Sequence, residues 1–211
     1  MPGLVDTHVH VNEPGRTDWE GFETATRAAA AGWRNDDCRY AFEFDSRDDH
    51  LAGFESKLAA ARGKLSCRLL DSGAASCRAT PASYPNFGNA GVVGFKCFLI
   101  HSGVDEFPNV AESDLREAMP ELARLGAMLI VHAEVPGPVE AACCNADAGE
   151  SSSSYETFLR SRPRAAENEA VNLMIRLSRE TGCRVHVVHH SSADALPALR
   201  TGKEVRLAPY G

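Results

Sequence analysis

Short apolar runs punctuate this chain, and the helical patterns between them give it an alternating strand and helix rhythm. Residues 3–10 (Gly-Leu-Val-Asp-Thr-His-Val-His) read as an extended run whose side chains alternate faces, so Asp6, His8 and His10 project to one side. Residues 91–99 form a second run, broken by Lys96. Residues 128–134 form a third, ending in His132-Ala133-Glu134, and residues 183–192 a fourth, carrying His186, His189 and His190. In the fourth run alternation puts His186 and His190 on one face and His189 on the other with Val185 and Val187. Thr17 is placed to cap a helix over residues 18–31, with Asp18 and Glu20 in its first turn. Helical spacing then recurs over residues 51–65 (Phe54, Leu58, Ala61), 112–126 (Leu115, Met119, Leu122, Leu125) and 165–181 (Val171, Met174, Ile175, Leu177). In the last of these Glu167, Asn168 and Glu169 read as the solvated face. Residues 136–155 read as loop, with a serine patch at 151–154, residues 193–200 as a short helix, and residues 204–207 as the start of another strand. A short strand ending in His-x-His, then a turn (residues 12–16) and a helix, is how a β/α barrel builds its active face.

Composition narrows this picture. The chain has 211 residues, fewer than the roughly 250 of a complete β/α barrel. A formal charge of −7 gives no support to a nucleic-acid partner. No apolar stretch is long enough to span a membrane and no signal-peptide pattern opens the chain, so the expectation is a soluble, cytoplasmic protein. The cysteine count of 7 is odd and lacks framework spacing, which reads as reduced thiols rather than disulfides or zinc ligands.

Two of the runs carry chemistry in their residues alone. Two histidines two apart on a strand are able to grip one metal ion, although for an isolated His-x-His two incidental histidines on a half-buried strand are the commoner outcome. Lys96 interrupts an apolar run, and a buried ammonium is costly enough to need a reason; the alternative is a strand-edge lysine whose head reaches water. His101 reads as a loop residue, either solvated or touching substrate, and Glu134 as a residue that shapes its loop.

The run VDTHVHVNEPGRTDWEGFETATRAAAAG resembles allantoinases, members of the cyclic amidohydrolases within the metal-dependent amidohydrolase superfamily. Dihydroorotases share the His-x-His and the Glu-Pro-Gly that follows, but Asn12 and the Arg-Thr-x-Trp-Glu-Gly-Phe-Glu-Thr segment resemble allantoinase. The resemblance implies a metal-dependent TIM-like (β/α) barrel, here incomplete. It also implies hydrolysis of the ring amide of (S)-allantoin to allantoate, in purine catabolism, at a site of two divalent ions, most often zinc. By the same resemblance His8 and His10 hold the first ion, His132 and His189 the second, and Lys96, carrying a CO2-derived carbamate, bridges both. A small-molecule substrate and a homo-oligomer follow by analogy.

Two stretches depart from the family pattern. Where the family has G-G-T-T-x-V-D-M-P-L-N, residues 33–50 run WRNDDCRYAFEFDSRDDH. One choice of codons for them, read one nucleotide later, gives GGTTTVDMPLNSIPATTT. Codons for residues 72–81 can likewise be read as GGVVPGNA. Residues 33–50 and about 67–82 are therefore taken as out of frame. Because Asp36, Asp37, Arg39 and Asp45 would bring charge into a layer that barrels fill with branched apolar side chains, 33–50 is not expected to form a central strand. No residue matches the family's last ligand, an aspartate that also acts as general base, nor are the last barrel strands and the small β domain represented. The expectation is that the chain as written hydrolyses allantoin very poorly or not at all. The alternative readings are a non-catalytic degenerate barrel, or another cyclic amidohydrolase such as a dihydroorotase or hydantoinase.

Overall fold

The structure, a computed structural model, describes residues 5–33, 39–43, 51–66, 68–76, 81–92, 94–103, 108–144 and 154–204. Strands and helices alternate: β1 (Val5–His10), α1 (Phe22–Trp33), β2 (Arg39–Glu43), α2 (Leu51–Ala61), β3 (Arg68–Ser76), α3 (Tyr84–Asn89), β4 (Gly94–Phe98), α4 (Glu112–Arg124) and β5 (Met128–His132). After α5 (Pro136–Cys144), α6 (Tyr155–Ser161) and α7 (Arg164–Thr181) come β6 (Arg184–Val187) and α8 (Leu196–Glu204). The strands form one six-stranded sheet in the order β1-β2-β3-β4-β5-β6, each pair parallel. Sequential parallel neighbours joined by helices are the winding of a β/α barrel, whereas a doubly wound sheet reverses its order at a switch point.

The main core lies between the sheet and helices α4 and α7. Leu115, Met119 and Leu122 repeat at helical spacing on α4, and Ala170, Met174 and Leu177 on α7; these pack in one buried cluster with Phe95, Cys97, Leu129 and Val131. Alternation in β4 and β5 therefore sends Phe95, Cys97, Leu129 and Val131 to the helices, and Lys96, Phe98 and His132 to the opposite, inner face. Gly94 lets these strands approach closely, since a Cβ there would stand 2.9 Å from the Met128 carbonyl oxygen. α7 stops at Gly182, whose φ of 75° suits a residue without a Cβ.

Several expectations need correction. α1 begins at Phe22 rather than at 18, and the carboxylate of Glu13, not Thr17, takes the Phe22 N–H at 2.9 Å. β2 forms where no central strand was expected and pairs on both sides. Its Arg39-Tyr40-Ala41-Phe42-Glu43 alternates two aromatic residues with polar or small ones, and that period-two pattern outweighs the charge density of the surrounding segment. Asp36, Asp37 and Asp45 lie outside the described residues. Residues 136–144 are helical rather than loop, with Val139 buried on the helix's inner side. The serine patch at 151–153 and residues 205–207 lie outside the described residues. Among the described residues Cys97, Cys143, Cys144 and Cys183 are thiols outside any disulfide, and no helix is long and apolar enough to cross a membrane.

Candidate functional site

A parallel sheet brings the C-terminal ends of all its strands to one edge, and the candidate residues are distributed along that edge. His8 and His10 end β1, Lys96 lies within β4, His132 is the last residue of β5, and His189 follows β6 by two residues. His10 is exposed, and the side chain of His8 lies outside the described ones.

Lys96 is the centre of a continuous set of contacts. It is only 5% exposed and is paired in register between Ser76 and Ile130. Its ammonium lies 4.7 Å from the centre of the Phe98 ring, a cation–π contact. Phe98 is in register with His132, and the two rings lie 5.2 Å apart at 30°. The His132 imidazole then meets His189 edge to face, 4.7 Å between centres at 65°. The structure thus brings Lys96, His132 and His189 together through Phe98, which the sequence reading passed over. The available signal was its i+2 spacing from Lys96, which puts both on one face of β4.

His132 is fixed at both ends. Its carbonyl accepts the Leu99 N–H at 3.2 Å, tying β5 to the residue after β4, and its Nε2 lies 3.1 Å from the Glu134 carboxylate. Glu134 therefore does shape its surroundings, by orienting the ring beside it. His101 is exposed in the loop after β4, where its Nδ1 accepts the Gly103 N–H at 3.1 Å.

His189 reaches its place by breaking strand geometry. Val188 N–H donates to the Val131 carbonyl at 3.2 Å, and the next residue, His189, has a φ of 37°, which among the described residues is the one positive φ outside glycine. Strand alternation therefore does not aim this ring; a left-handed turn does. His186 is exposed, and His190 is half-buried with its Nδ1 3.1 Å from Glu167 Oε1. That approach lacks hydrogen-bond geometry, since neither His190 ring nitrogen has a hydrogen-bond partner.

Glu167 and Asn168, read from the sequence as a solvated face, hold the turn instead. Glu167 accepts the Ser191 N–H at 2.7 Å, the Ser192 N–H at 2.5 Å and the Ser191 hydroxyl at 3.1 Å, while Asn168 Oδ1 accepts the Ser192 hydroxyl at 2.8 Å. Burial pushes the Glu167 carboxyl up, but these donors and the charge of His190 outweigh it and leave its pKa below the ordinary value.

At the other end of the edge, the segment leaving β1 is held by charge. Glu13, 7% exposed, accepts from Phe22 N–H and pairs with Lys64. Burial raises its pKa, but Lys64, the Phe22 N–H and the charge of Lys57 together bring it below the ordinary value. Lys57 itself, 3% exposed, donates to the Val11 carbonyl. Among the described residues no group of three or more His, Cys, Asp or Glu side chains converges.

Known proteins share the order of strands and helices. No family model matches the chain. It is 42% identical to the mitochondrial allantoinase of Aquarana catesbeiana over 97% of its own length and 41% of the relative. It is 42% identical to the allantoinase of Streptomyces avermitilis, covering 96% of this chain and 44% of that one. Among solved structures, the L-hydantoinase (dihydropyrimidinase) of Arthrobacter aurescens superposes with a TM-score of 0.84 at 26% identity, over 98% of this chain and 45% of that one. The chain spans less than half the length of these relatives. Along nearly its whole length this chain resembles the allantoinases, and its six strand and helix units are part of an amidohydrolase-type (β/α) barrel.

Proposed function

We propose that this chain carries the metal-binding part of an allantoinase active site. His8 and His10 would hold one divalent ion, His132 and His189 a second, and a Lys96 carbamate both, with zinc as the ion. The observation that carries the reading is the buried Lys96 on the inner face of β4, joined through Phe98 to the His132–His189 ring pair. Two imidazoles 4.7 Å apart, one oriented by Glu134 and the other by its turn, suit two nitrogen donors sharing an ion at about 2.0–2.1 Å. When bound, such ions supply Lewis acidity toward a ring carbonyl and hydroxide near neutral pH.

The chain's own residues have definable parts in this. The Lys96 ammonium would first lose one proton, and the neutral amine would then add CO2 to give an anionic carbamate with release of a second proton, which replaces a costly buried cation by an oxygen donor. Phe98 covers Lys96 and His132 with an apolar ring and so limits water at both. Glu134 holds the ring of His132, and Glu167 holds the turn that carries His189. Allantoin, opened to allantoate, is the proposed substrate. Allantoinases match at 34–42% identity, while the hydantoinase superposes at 26%, so allantoin is favoured over hydantoin. A cytoplasmic homo-oligomer completes the proposal. It also takes residues 33–50 and 67–82 as translated out of frame, which comparison of genomic DNA with transcript would decide.

The test is metal content and substrate choice together. Purified with zinc and bicarbonate, the protein should retain two ions per chain by elemental mass spectrometry, and Lys96→Ala should lose at least one. Calorimetric titration should show binding of allantoin in preference to hydantoin and dihydroorotate. Retention of both ions by Lys96→Ala, or preference for hydantoin, would overturn the proposal.

A further inference from the structure

The group in this molecule least explained by the proposed chemistry is the second buried lysine. Lys57 lies on the inner side of α2 with 3% of its surface exposed, beside buried Gly53, Phe54 and Ala61. A lysine in such a place ordinarily runs its alkyl stem along the apolar surface and sends its head to water. Here the head turns inward. Its Nζ donates to the carbonyl oxygen of Val11, the residue immediately after His10, and lies 5.8 Å from the centre of the Phe22 ring. Phe22 in turn gives its N–H to Glu13, and Glu13 takes Lys64 from the turn after α2. The buried Thr26 hydroxyl closes the circuit, donating to Phe22 O at 2.6 Å and accepting the Ser66 N–H at 3.1 Å.

Among the described residues Val11 and Phe22 are buried together with Ala29 and Ala61, and apolar contacts of this kind give little directional restraint on the backbone that follows His10. A buried ammonium anchored on a carbonyl gives direction, because its hydrogen bond has a fixed length and angle and its release would leave both groups dry.

We propose that Lys57 is a positioning residue for the metal centre: its buried ammonium, anchored on the Val11 carbonyl, locks the exit of β1 against α2 and so fixes the presentation of His10. The metal half of this inference rests on the function proposed above; the lock itself does not. Glu13 belongs to the same device as the counter-charge, its carboxyl shared between Lys64 and the start of α1.

The experiment uses the full chain and Lys57→Met, which keeps the stem and removes charge and donor. In metal-free protein, hydrogen exchange followed by mass spectrometry should rise about tenfold over residues 9–22 and stay unchanged over β5 and β6. In zinc titrations the ion assigned to His8 and His10 by loss in His10→Ala should weaken about tenfold, and the ion lost in His189→Ala should not change. If Lys57→Met does not fold, the same two readouts on Lys57→Gln decide. A uniform rise in exchange across all strands, no rise over 9–22, or equal weakening of both ions would overturn the proposal. Failure of the parent chain to take up zinc would count against the proposed function alone, and the exchange measurement would still decide the lock.

Discussion

The two halves of the sheet hold their strand ends by different means. From β4 to β6 the register is unbroken and the strands lie under a large apolar cluster shared with α4 and α7. From β1 to β3 the pairings shift register, between Asp6 and Val9 and again between Tyr40 and Phe42, and the described apolar cluster at the β1 exit is Val11, Phe22, Ala29 and Ala61. There Lys57, Glu13, Lys64 and Thr26 add polar ties between β1, α1 and the end of α2. Apolar burial supplies energy without direction, and buried charge supplies direction at a desolvation cost.

The sharpest way to break that comparison is to cut a large ring from each half. Phe95 is 1% exposed and packs against Tyr84 at 4.7 Å and Phe87 at 6.1 Å, so Phe95→Ala should cost about 4 kcal/mol in urea unfolding. Phe22→Ala should cost about 3 kcal/mol, because the hydrogen bonds of Glu13 and Thr26 go to the Phe22 backbone and survive loss of the ring. A larger loss at Phe22 would mean that the first half is the better packed.

Next in size is the polar tie in the apolar half. Glu167→Ala strands the Ser191 and Ser192 N–H groups and should cost about 2 kcal/mol, with faster hydrogen exchange confined to residues 188–195. A global rise in exchange would show that Glu167 supports the fold rather than the turn.

The smallest effect concerns acid. Arg176 first, and Arg116 with it, hold the Glu112 carboxyl at about 2 against an ordinary 4.5, across the exposed contact of α4 with α7. A depressed carboxyl stabilises the fold fully above its unfolded pKa, and that contribution fades as pH falls from about 4.5 toward 2. Glu13 has the same sign, so acid loosens both halves. Glu112→Gln should flatten the acid limb of a stability profile slightly, since exposed pairs contribute little. An unchanged limb would assign acid sensitivity to the first half.

How much of this was legible in the sequence follows the same division. β4, α4, β5 and α7 stand within a few residues of their apolar patterns, because in that half burial and periodicity coincide. α1 was misplaced because its cap comes from Glu13, nine positions before Phe22, a tie that no local capping rule reaches. β2 was missed because the charges around it concealed the alternation of Tyr40 and Phe42. Of the site, Lys96, His132 and His189 were named by the family resemblance, but Phe98 between them was not, since an aromatic residue in an apolar run looks like ordinary core. Lys57 and Glu167 were missed for one shared reason. Each is a charged residue on a helix, and only the fold reveals that its partner is a backbone group of the strand exit beside it.

The backbone at His189 has a consequence for how that residue can be interrogated. With φ at 37°, the position carries a conformation that most side chains occupy at a cost of about 1–2 kcal/mol, and that histidine and asparagine visit more readily than alanine does. His189→Ala therefore removes an imidazole and adds a conformational burden in one step, whereas His189→Asn removes the imidazole with less of that burden. The gap between the two variants reads the chain geometry, and His189→Asn alone is the cleaner measure of what the ring contributes.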